Sequence, residues 1–373
     1  MKFAISKNYL LNALNTVSRA VSSKNPRAIL TGIKFELNHH GLFLTGSDSD
    51  ISIVTKVPMQ DNNNNVITSF EPGVVVVSSR FITDIIRKLE GSIINFETLE
   101  ENTLKITDTI SDFSLNCMES RDYPVLDLSL EGTTITLPTV VLNEIINQTS
   151  YAASDKETRP ILTGVNFRGE GRQLECVATD SYRLAKKSVF LEKEVSFNIT
   201  IPAKTLNEVA KVAEGENSVE IIITDKKVNF RFQNSLVSTR VINGAYPDTS
   251  KLIPLSFECH LDTIAQSFVA RIERASLLSV DRNNVVRLSM NHDGVSISAK
   301  AQEVGSAVET VNDYRYEGER LDVSFAAKFV IDAIKALGCE AITMYFNSDS
   351  KPFIIKNEKD SSCIQLVLPV RTY

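Results

Sequence analysis

No apolar run in the sequence approaches the roughly 20 residues that a membrane-spanning helix needs. The N-terminal stretch MKFAISKNYLLNALNTV is broken by Ser6, Lys7, Asn8, Asn12 and Asn15. That pattern excludes the apolar core of a signal peptide and predicts a short strand followed by an amphipathic helix. Cysteine is sparse: Cys117, Cys176, Cys259, Cys339 and Cys363 are odd in number and far apart, which suits reduced thiols in a cytosol and not a disulfide framework. Four histidines, with His39 and His40 adjacent, offer no metal-ligand spacing. A G-x-x-x-x-G-K phosphate loop, a G-x-G-x-x-G, a G-x-S-x-G elbow and an H-E-x-x-H are all missing. The sequence therefore predicts no catalytic constellation, no metal and no cofactor. Its net charge of −6 does not by itself suggest a nucleic-acid binder.

What is present is repetition. The 373 residues, 43% hydrophobic and 23% charged, suffice for two or three domains with separate cores. RAILTG at 27–32 returns as RPILTG at 159–164, and in both copies an Asp, Asp48 or Asp180, follows the glycine by 16 positions. A second element occurs three times: SRFITDIIRKL at 79–89, AKTLNEVAKVA at 203–213 and AKFVIDAIKAL at 327–337. Its leading bases Arg80, Lys204 and Lys328 are spaced 124 and 124 apart, so three periods span nearly the whole chain. The acids Asp84, Glu208 and Asp332 each precede a second base, Arg87, Lys211 and Lys335, by three residues. That spacing predicts an ion pair on the exposed side of each helix.

Ile82, Ile85, Ile86 and Leu89 recur at the spacing of one buried helical face. A further helix is predicted to open each unit, over Tyr9–Ala20, Thr139–Ala152 and Asp262–Arg274. Extended stretches precede the repeated helices at Val74–Val77, Phe197–Ile201 and Leu321–Phe325. Alternation in Val219, Ile221, Ile223 and in Val228, Phe230, Phe232 predicts strands after them. Gly32–Leu37 and Leu42–Ser47 read as a hairpin turning at His39-His40-Gly41. Each unit is β-α-β-β-β twice over, so the fold class is α+β, with two helices on one face of antiparallel sheet. The Tyr-Pro pairs at 123–124 and 246–247 place boundaries near Leu128 and Pro254, giving domains 1–128, 129–254 and 255–373. The asparagine run 62–65 reads as an exposed loop, and Asp48 and Asp180 as braces of two similar turns.

The negative balance hides a partition. The helical regions and their flanks carry 15 Lys/Arg against 10 Asp/Glu, while the remainder carries 25 against 36. Lys7, Arg19, Lys24 and Arg27 in the first of them face no acid at all. Similar helices on one face of similar domains can form a continuous basic surface for a phosphate backbone, contacted without reading bases.

With the triplication, the basic helices and the segment Ala178-Thr179-Asp180-Ser181-Tyr182-Arg183-Leu184-Ala185, the sequence resembles the bacterial sliding clamps, the β subunits of replicative DNA polymerase III. The resemblance runs from Met1-Lys2-Phe3 to Leu368-Pro369-Val370-Arg371. It implies the DNA-clamp fold, closed as a head-to-tail homodimer into a six-domain ring around double-stranded DNA, in the cytoplasm at the nucleoid. It implies as partners the polymerase III catalytic subunit, an ATP-dependent clamp loader, and other polymerases and repair proteins carrying a short clamp-binding peptide. Lys24, Arg27, Lys156, Arg159 and Lys204 would face DNA. The peptide cleft would use Leu162, Thr179, Ser181, Tyr182, Arg183, Leu184, Pro247, Leu252, Leu366, Leu368, Pro369, Val370 and Arg371. In that cleft Arg183 and Arg371 are expected on the exposed rim. Leu277 and Leu278 would stand at the dimer edge, and the facing stretch 106–112 lacks the arginines that some relatives carry there. Thr372 and Tyr373 extend past the cleft motif. An enzyme lacks its motifs here, and a scaffold binding only proteins would not need basic helices.

Overall fold

Each of the six expected helices is present, the three repeated ones within a residue of their expected bounds and the three opening ones with shifted ends. They are α1 Lys7–Val17, α2 Ser79–Lys88, α3 Thr139–Thr149, α4 Ala203–Val212, α5 Ala265–Ser276 and α6 Ala327–Leu337. The structure is a computed structural model, and it describes every residue except 63, 100–101, 280–283 and 372–373. The last three residues of the Tyr9–Ala20 and Thr139–Ala152 predictions are 3-10 turns, Ser18–Ala20 and Ser150–Ala152. The third opening helix begins later than the sequence indicates. Asp262–Ile264 belongs to a strand, held by pairing with Ala341–Phe346 and by a 2.6 Å hydrogen bond from Thr343 Oγ1 to Asp262 Oδ1. α6 stops at Gly338, whose left-handed φ of 60° lets its N–H reach the carbonyl of Lys335.

The chain divides into two compact units, Met1–Val140 with Glu208–Val241, and Val141–Asn207 with Ile242–Tyr373. In the first, an eight-stranded antiparallel sheet runs in the order Thr133–Pro138, Ser218–Ile223, Lys227–Arg231, Ser235–Arg240, Ile51–Val57, Gly41–Ser47, Gly32–Asn38, Gly73–Ser78. A five-stranded sheet runs Asp112–Asn116, Thr103–Thr107, Ile93–Leu99, Lys2–Ser6, Ile67–Glu71. α1 lies against strands 41–47 and 51–57 beside α2, burying Leu10, Leu14 and Val17, while α2 buries Ile82 and Ile86. Phe3 stacks on Phe96 with ring centroids 4.7 Å apart. The asparagine run is not wholly loop: Asn64–Asn65 pairs with Gln60–Asp61, while Asn63 lies outside the described residues.

In the second unit a seven-stranded sheet runs Gly164–Thr179, Arg183–Pro202, Asp360–Val367, Phe353–Asn357, Ala341–Phe346, Cys259–Ile264, Tyr314–Glu317. A four-stranded sheet runs Gly305–Val311, Gly294–Ala301, Val285–Asn291, Leu321–Ala326. Strands 164–179 and 183–202 are 16 and 20 residues long, and the second contains the extended stretch expected at Phe197–Ile201. α5 packs beside α6, and Phe268, Ile272, Val330 and Ile334 share one core.

Two strand joints link successive repeats edge to edge. In the first unit the 235–240 strand pairs with 51–57 from Ser235 opposite Thr55 to Thr239 opposite Ile51. In the second, 360–367 pairs with 183–202 from Val367 opposite Arg183 to Cys363 opposite Lys187. Among the described residues, strands 112–116 and 305–311 end their sheets with one side unpaired.

Candidate functional site

The turn after Thr179 is built by its acid. Asp180 Oδ1 accepts hydrogen bonds from the backbone N–H of Tyr182 at 2.8 Å and of Arg183 at 3.0 Å. Thr179 Oγ1 donates to the Arg183 carbonyl at 2.6 Å, and Ser181 between them takes a left-handed φ of 79°. Asp48 does the same work, accepting from Asp50 and Ile51 at 2.9 Å each. The recurring acids are therefore turn braces. A third brace has no counterpart among the sequence expectations. The N–H groups of Gly91, then Ile110, Ser111 and Glu90, hold the Asp108 carboxyl at about 2.

Arg183 is not on a rim. It is only 7% exposed. Its Nε lies 3.0 Å from Asp180 Oδ2 and its Nη1 2.7 Å from Asp332 Oδ2. The guanidinium sits between two rings, 5.1 Å from the centroid of Tyr151 and 4.8 Å from that of Phe329. Arg183 opens the strand in a buried run, Arg183–Ala185, whereas Tyr182, in the turn before it, takes the exposed place with its ring 6.4 Å from Phe329. Behind the arginine, Tyr151 Oη donates to Gln365 Oε1 at 2.6 Å and Gln365 Nε2 donates to the Gln148 carbonyl at 3.0 Å. Burial pushes the Tyr151 hydroxyl well above its ordinary pKa, so it stays a donor.

This arrangement also alters the predicted helix-surface pairs. Asp84 meets Arg87 at 3.3 Å and Glu208 meets Lys211 at 2.8 Å. In α6, Asp332 is taken by Arg183, and Lys335 pairs with Glu273 at 2.9 Å instead.

Beside the turn lies a small apolar cluster of Val177, Leu184, Ile354 and Leu366, with half-buried Tyr246, Ile253, Phe257, Tyr345 and Ile364 packed on it. Leu184 and Leu366 are among the sequence expectations, whereas Val177, Ile354, Tyr246 and Tyr345 are not. Pro247 and Leu252 flank Tyr246 and Ile253 in sequence, and Tyr246 Oη accepts from the Thr179 N–H at 3.0 Å. The sequence signal for Tyr246 is its Tyr-Pro turn, which marks a domain boundary and does not by itself announce a cleft residue. Leu162 is buried in the 3-10 turn Pro160–Thr163, outside this cluster. The tail is fixed by two hydrogen bonds, Leu368 N–H to the Tyr182 carbonyl at 2.9 Å and Val370 N–H to the Ser324 carbonyl at 2.7 Å. Ser181, Tyr182, Leu252, Leu368 and Arg371 are exposed, while Pro247, Pro369 and Val370 are half-buried. Thr372 and Tyr373 lie outside the described residues. The result is an apolar floor with an exposed aromatic and aliphatic border.

The predicted basic residues occupy matching loops. Lys24 and Arg27 lie between the 3-10 turns 18–20 and 28–31, and Lys156 and Arg159 lie between 150–152 and 160–163. Both loops open with the same serine turn: the Lys24 N–H meets Ser22 Oγ at 3.3 Å, and the Lys156 N–H meets Ser154 Oγ at 3.1 Å. All four side chains and Lys204, in the first turn of α4, are exposed. None has an ion-pair partner among the described residues. Leu277 is 78% exposed and Leu278 half-buried, just past the end of α5. The five cysteines are free, and no cluster of metal-ligating side chains occurs among the described residues. No helix there is long and apolar enough to cross a membrane.

Comparison with known proteins is consistent along the whole chain. Family models for the DNA polymerase III beta subunit match in order: the N-terminal domain at residues 1–127, the central domain at 136–248 and the C-terminal domain at 250–371. The beta sliding clamp of Bacillus subtilis (strain 168) is 39% identical, with 100% of both chains covered. That of Staphylococcus epidermidis is also 39% identical over 100% of both. The crystal structure of the DNA polymerase sliding clamp from Bacillus subtilis superposes with a TM-score of 0.96 at 39% identity, covering 100% of each chain. The DNA polymerase III beta chain of Streptococcus pneumoniae gives 0.95 at 35% identity, again over 100% of each.

Proposed function

The chain belongs to the DNA polymerase III beta subunit family, and from that premise we propose that two copies close head to tail into a ring that tethers polymerases to duplex DNA. A member of this family is a sliding clamp, a processivity factor without catalytic activity, whose partners are DNA and a polymerase. The finer reading has three domains, 1–128, 129–254 and 255–373. Its support is the 124-residue period and the three family models.

The observation that carries ring closure is the pair of strand joints. Strand 112–116 stands in its repeat where 235–240 stands in the next: Thr103 faces Asn116 as Lys227 faces Arg240, 124 residues on. Strand 305–311 likewise matches 51–57, since Val295 faces Val311 as Leu42 faces Val57. The chain thus makes the same joint twice and keeps one half of a third at each of two free edges. Carrying over the register of the first joint puts Phe113 of one copy opposite Ala307 of another, and Leu115 opposite Gly305. Closing the joint also removes exposed strand edges that invite aggregation.

The exposed Lys24, Arg27, Lys156, Arg159 and Lys204, none of them in an ion pair among the described residues, suit phosphate contacts whose energy is the same at every base step, so the ring holds without stopping. Retention comes from topology. The cleft floored by Leu184 and Leu366 fits a short peptide with leucine and aromatic anchors, carried by polymerases, a clamp loader and repair proteins.

The deciding experiment loads the protein onto nicked circular DNA with its clamp loader, isolates the complex and linearises the circle. Release on cutting, with retention on the uncut circle, is expected; retention on both would mean ordinary surface binding. Reversing Lys24, Arg27 and Lys204 to Glu is expected to cut loading or retention at least about tenfold at physiological salt, with peptide affinity unchanged. Replacing Leu368 and Val370 with Ala is expected to weaken peptide binding by roughly tenfold to a hundredfold without opening the ring. Wild-type peptide affinity in that double variant would remove the cleft assignment.

A further inference from the structure

We propose that the first unit carries a second peptide site, a pocket that takes one leucine or aromatic anchor with an acidic neighbour. It goes beyond the cleft reading and borrows from it only the class of ligand. A cavity of about 360 Å3 is lined by strands 32–38, 41–47 and 51–57 and by the segment that follows Tyr123. Phe43, Thr45 and Val54 alternate with the buried Leu42, Leu44 and Ile53, so they line the sheet face turned away from the core. Val125, Leu126 and Leu128 complete the apolar lining, and Val125 is 100% exposed. The volume falls in the range of about 300–1,000 Å3 typical of ligand pockets.

The internal repeat supplies a comparison for this place. Residues 27–57 correspond to 159–189 at a constant offset of 132, so Thr45 stands where Val177 does. In the second unit Leu184, Leu366 and Ile354 form one cross-strand row in the cleft floor. The same row in the first unit is Ser52, Ser238 and Asn229. Phe43 and Val54 in turn occupy the places of Glu175 and Lys186, which pair with each other. The first unit is thus polar where the cleft is apolar, and apolar where the second unit is charged.

Hydrogen bonds preform the pocket. Lys227 Nζ donates to the Asp127 carbonyl and to Ser129 Oγ at 2.9 Å each, and Asn229 Nδ2 donates to the Ser129 carbonyl at 2.7 Å. Tyr123 Oη donates to the Thr45 carbonyl at 3.3 Å. With both ends of segment 123–129 fixed to the sheet, Val125 and Leu126 need little ordering to receive a guest. Asn38 Nδ2 and Thr45 Oγ1, also in the lining, have no hydrogen-bond partner among the described residues and suit the main chain of an extended peptide. Charge selects the neighbour of the anchor. Lys34 is taken by Glu36 at 2.7 Å, whereas Lys56, 5.9 Å from the Phe43 ring centroid, is in no ion pair among the described residues. An acidic residue beside the anchor gives it one.

Methyl NMR of the full chain, titrated with acetyl-Gly-Asp-Leu-Phe-Gly-amide, tests this. The methyl groups of Val54, Val125, Leu126 and Leu128 report the pocket, and those of Leu184 and Leu366 report the cleft. Both sets are expected to shift and saturate, each with its own dissociation constant. Phe43→Glu together with Val54→Lys installs the ion pair that the second unit has there. It should raise the pocket's constant at least about tenfold and leave the cleft's unchanged. Replacing the probe's Asp with Lys should weaken pocket binding roughly twofold to fivefold, and Lys56→Gln should erase that preference, a readout that a fold defect would not give. Pocket methyls that stay still while the cleft saturates, or that titrate as in wild type in the double variant, overturn the pocket and leave the cleft. Pocket methyls that shift beside silent cleft methyls support the pocket and remove the cleft reading instead.

Discussion

An Arg183→Ala chain is expected to lose about 3–5 kcal/mol of stability, because it strands two carboxylates around a site that solvent barely reaches. Asp180 keeps its backbone donors, but Asp332 loses its partner at 2.7 Å, and the faces of Tyr151 and Phe329 lose the guanidinium between them. The loss should reach function through the turn. With the Arg183 side chain gone, the 180–183 segment keeps its Asp180 and Thr179 hydrogen bonds but loses its tie to α6, and the Tyr182 carbonyl that anchors Leu368 is less well placed. Urea unfolding and peptide titration on the same variant check both effects. Arg183→Lys should rescue little, since one ammonium cannot bridge two acids and cover two rings. Stability within about 0.5 kcal/mol of wild type would mean that the network is ornamental.

Phe113→Asp is expected to abolish ring closure. In the free chain Phe113 is 40% exposed on an edge strand, so the substitution should leave the fold alone. In the closed joint it faces Ala307, where the variant forfeits apolar burial and puts a charge beside a partner that cannot pair with it. Together these are worth about 4 kcal/mol, roughly a thousandfold in the dimer constant. Loaded DNA complexes should disappear in parallel while the peptide cleft binds as before. An undiminished dimer would show that the closing joint does not share the register of the internal ones.

Much of the fold is legible in the sequence because a triplicated chain states its period three times. The small-basic-any-apolar-any-acidic pattern locates α2, α4 and α6 to within a residue or two. The Asp that follows each RxILTG glycine marks both braced turns. What escapes depends on groups far apart in the chain. Nothing around Arg183 in sequence announces that Asp332, Phe329 and Tyr151 will enclose it, so its neighbours Tyr182 and Leu184 suggest exposure. The same remote acid-base pairing takes Asp332 from Lys335, which local spacing cannot anticipate. Asp262–Ile264 looks helical by position but is extended, because Ala341–Phe346 offers it a strand partner about 80 residues away. Asp108 carries no repeat signature, since its four donors come from two separate segments.

The two internal joints have a kinetic consequence. Strands 235–240 and 51–57, like 360–367 and 183–202, are parts of one covalent chain, so a parted internal joint faces an effective partner concentration on the order of millimolar. In the proposed ring the two closing joints share that advantage only conditionally: the first must wait for an encounter, but once made it tethers the second. One seam can then part to admit DNA while the other keeps the copies together. Its reclosure is first order and does not slow when the protein is dilute.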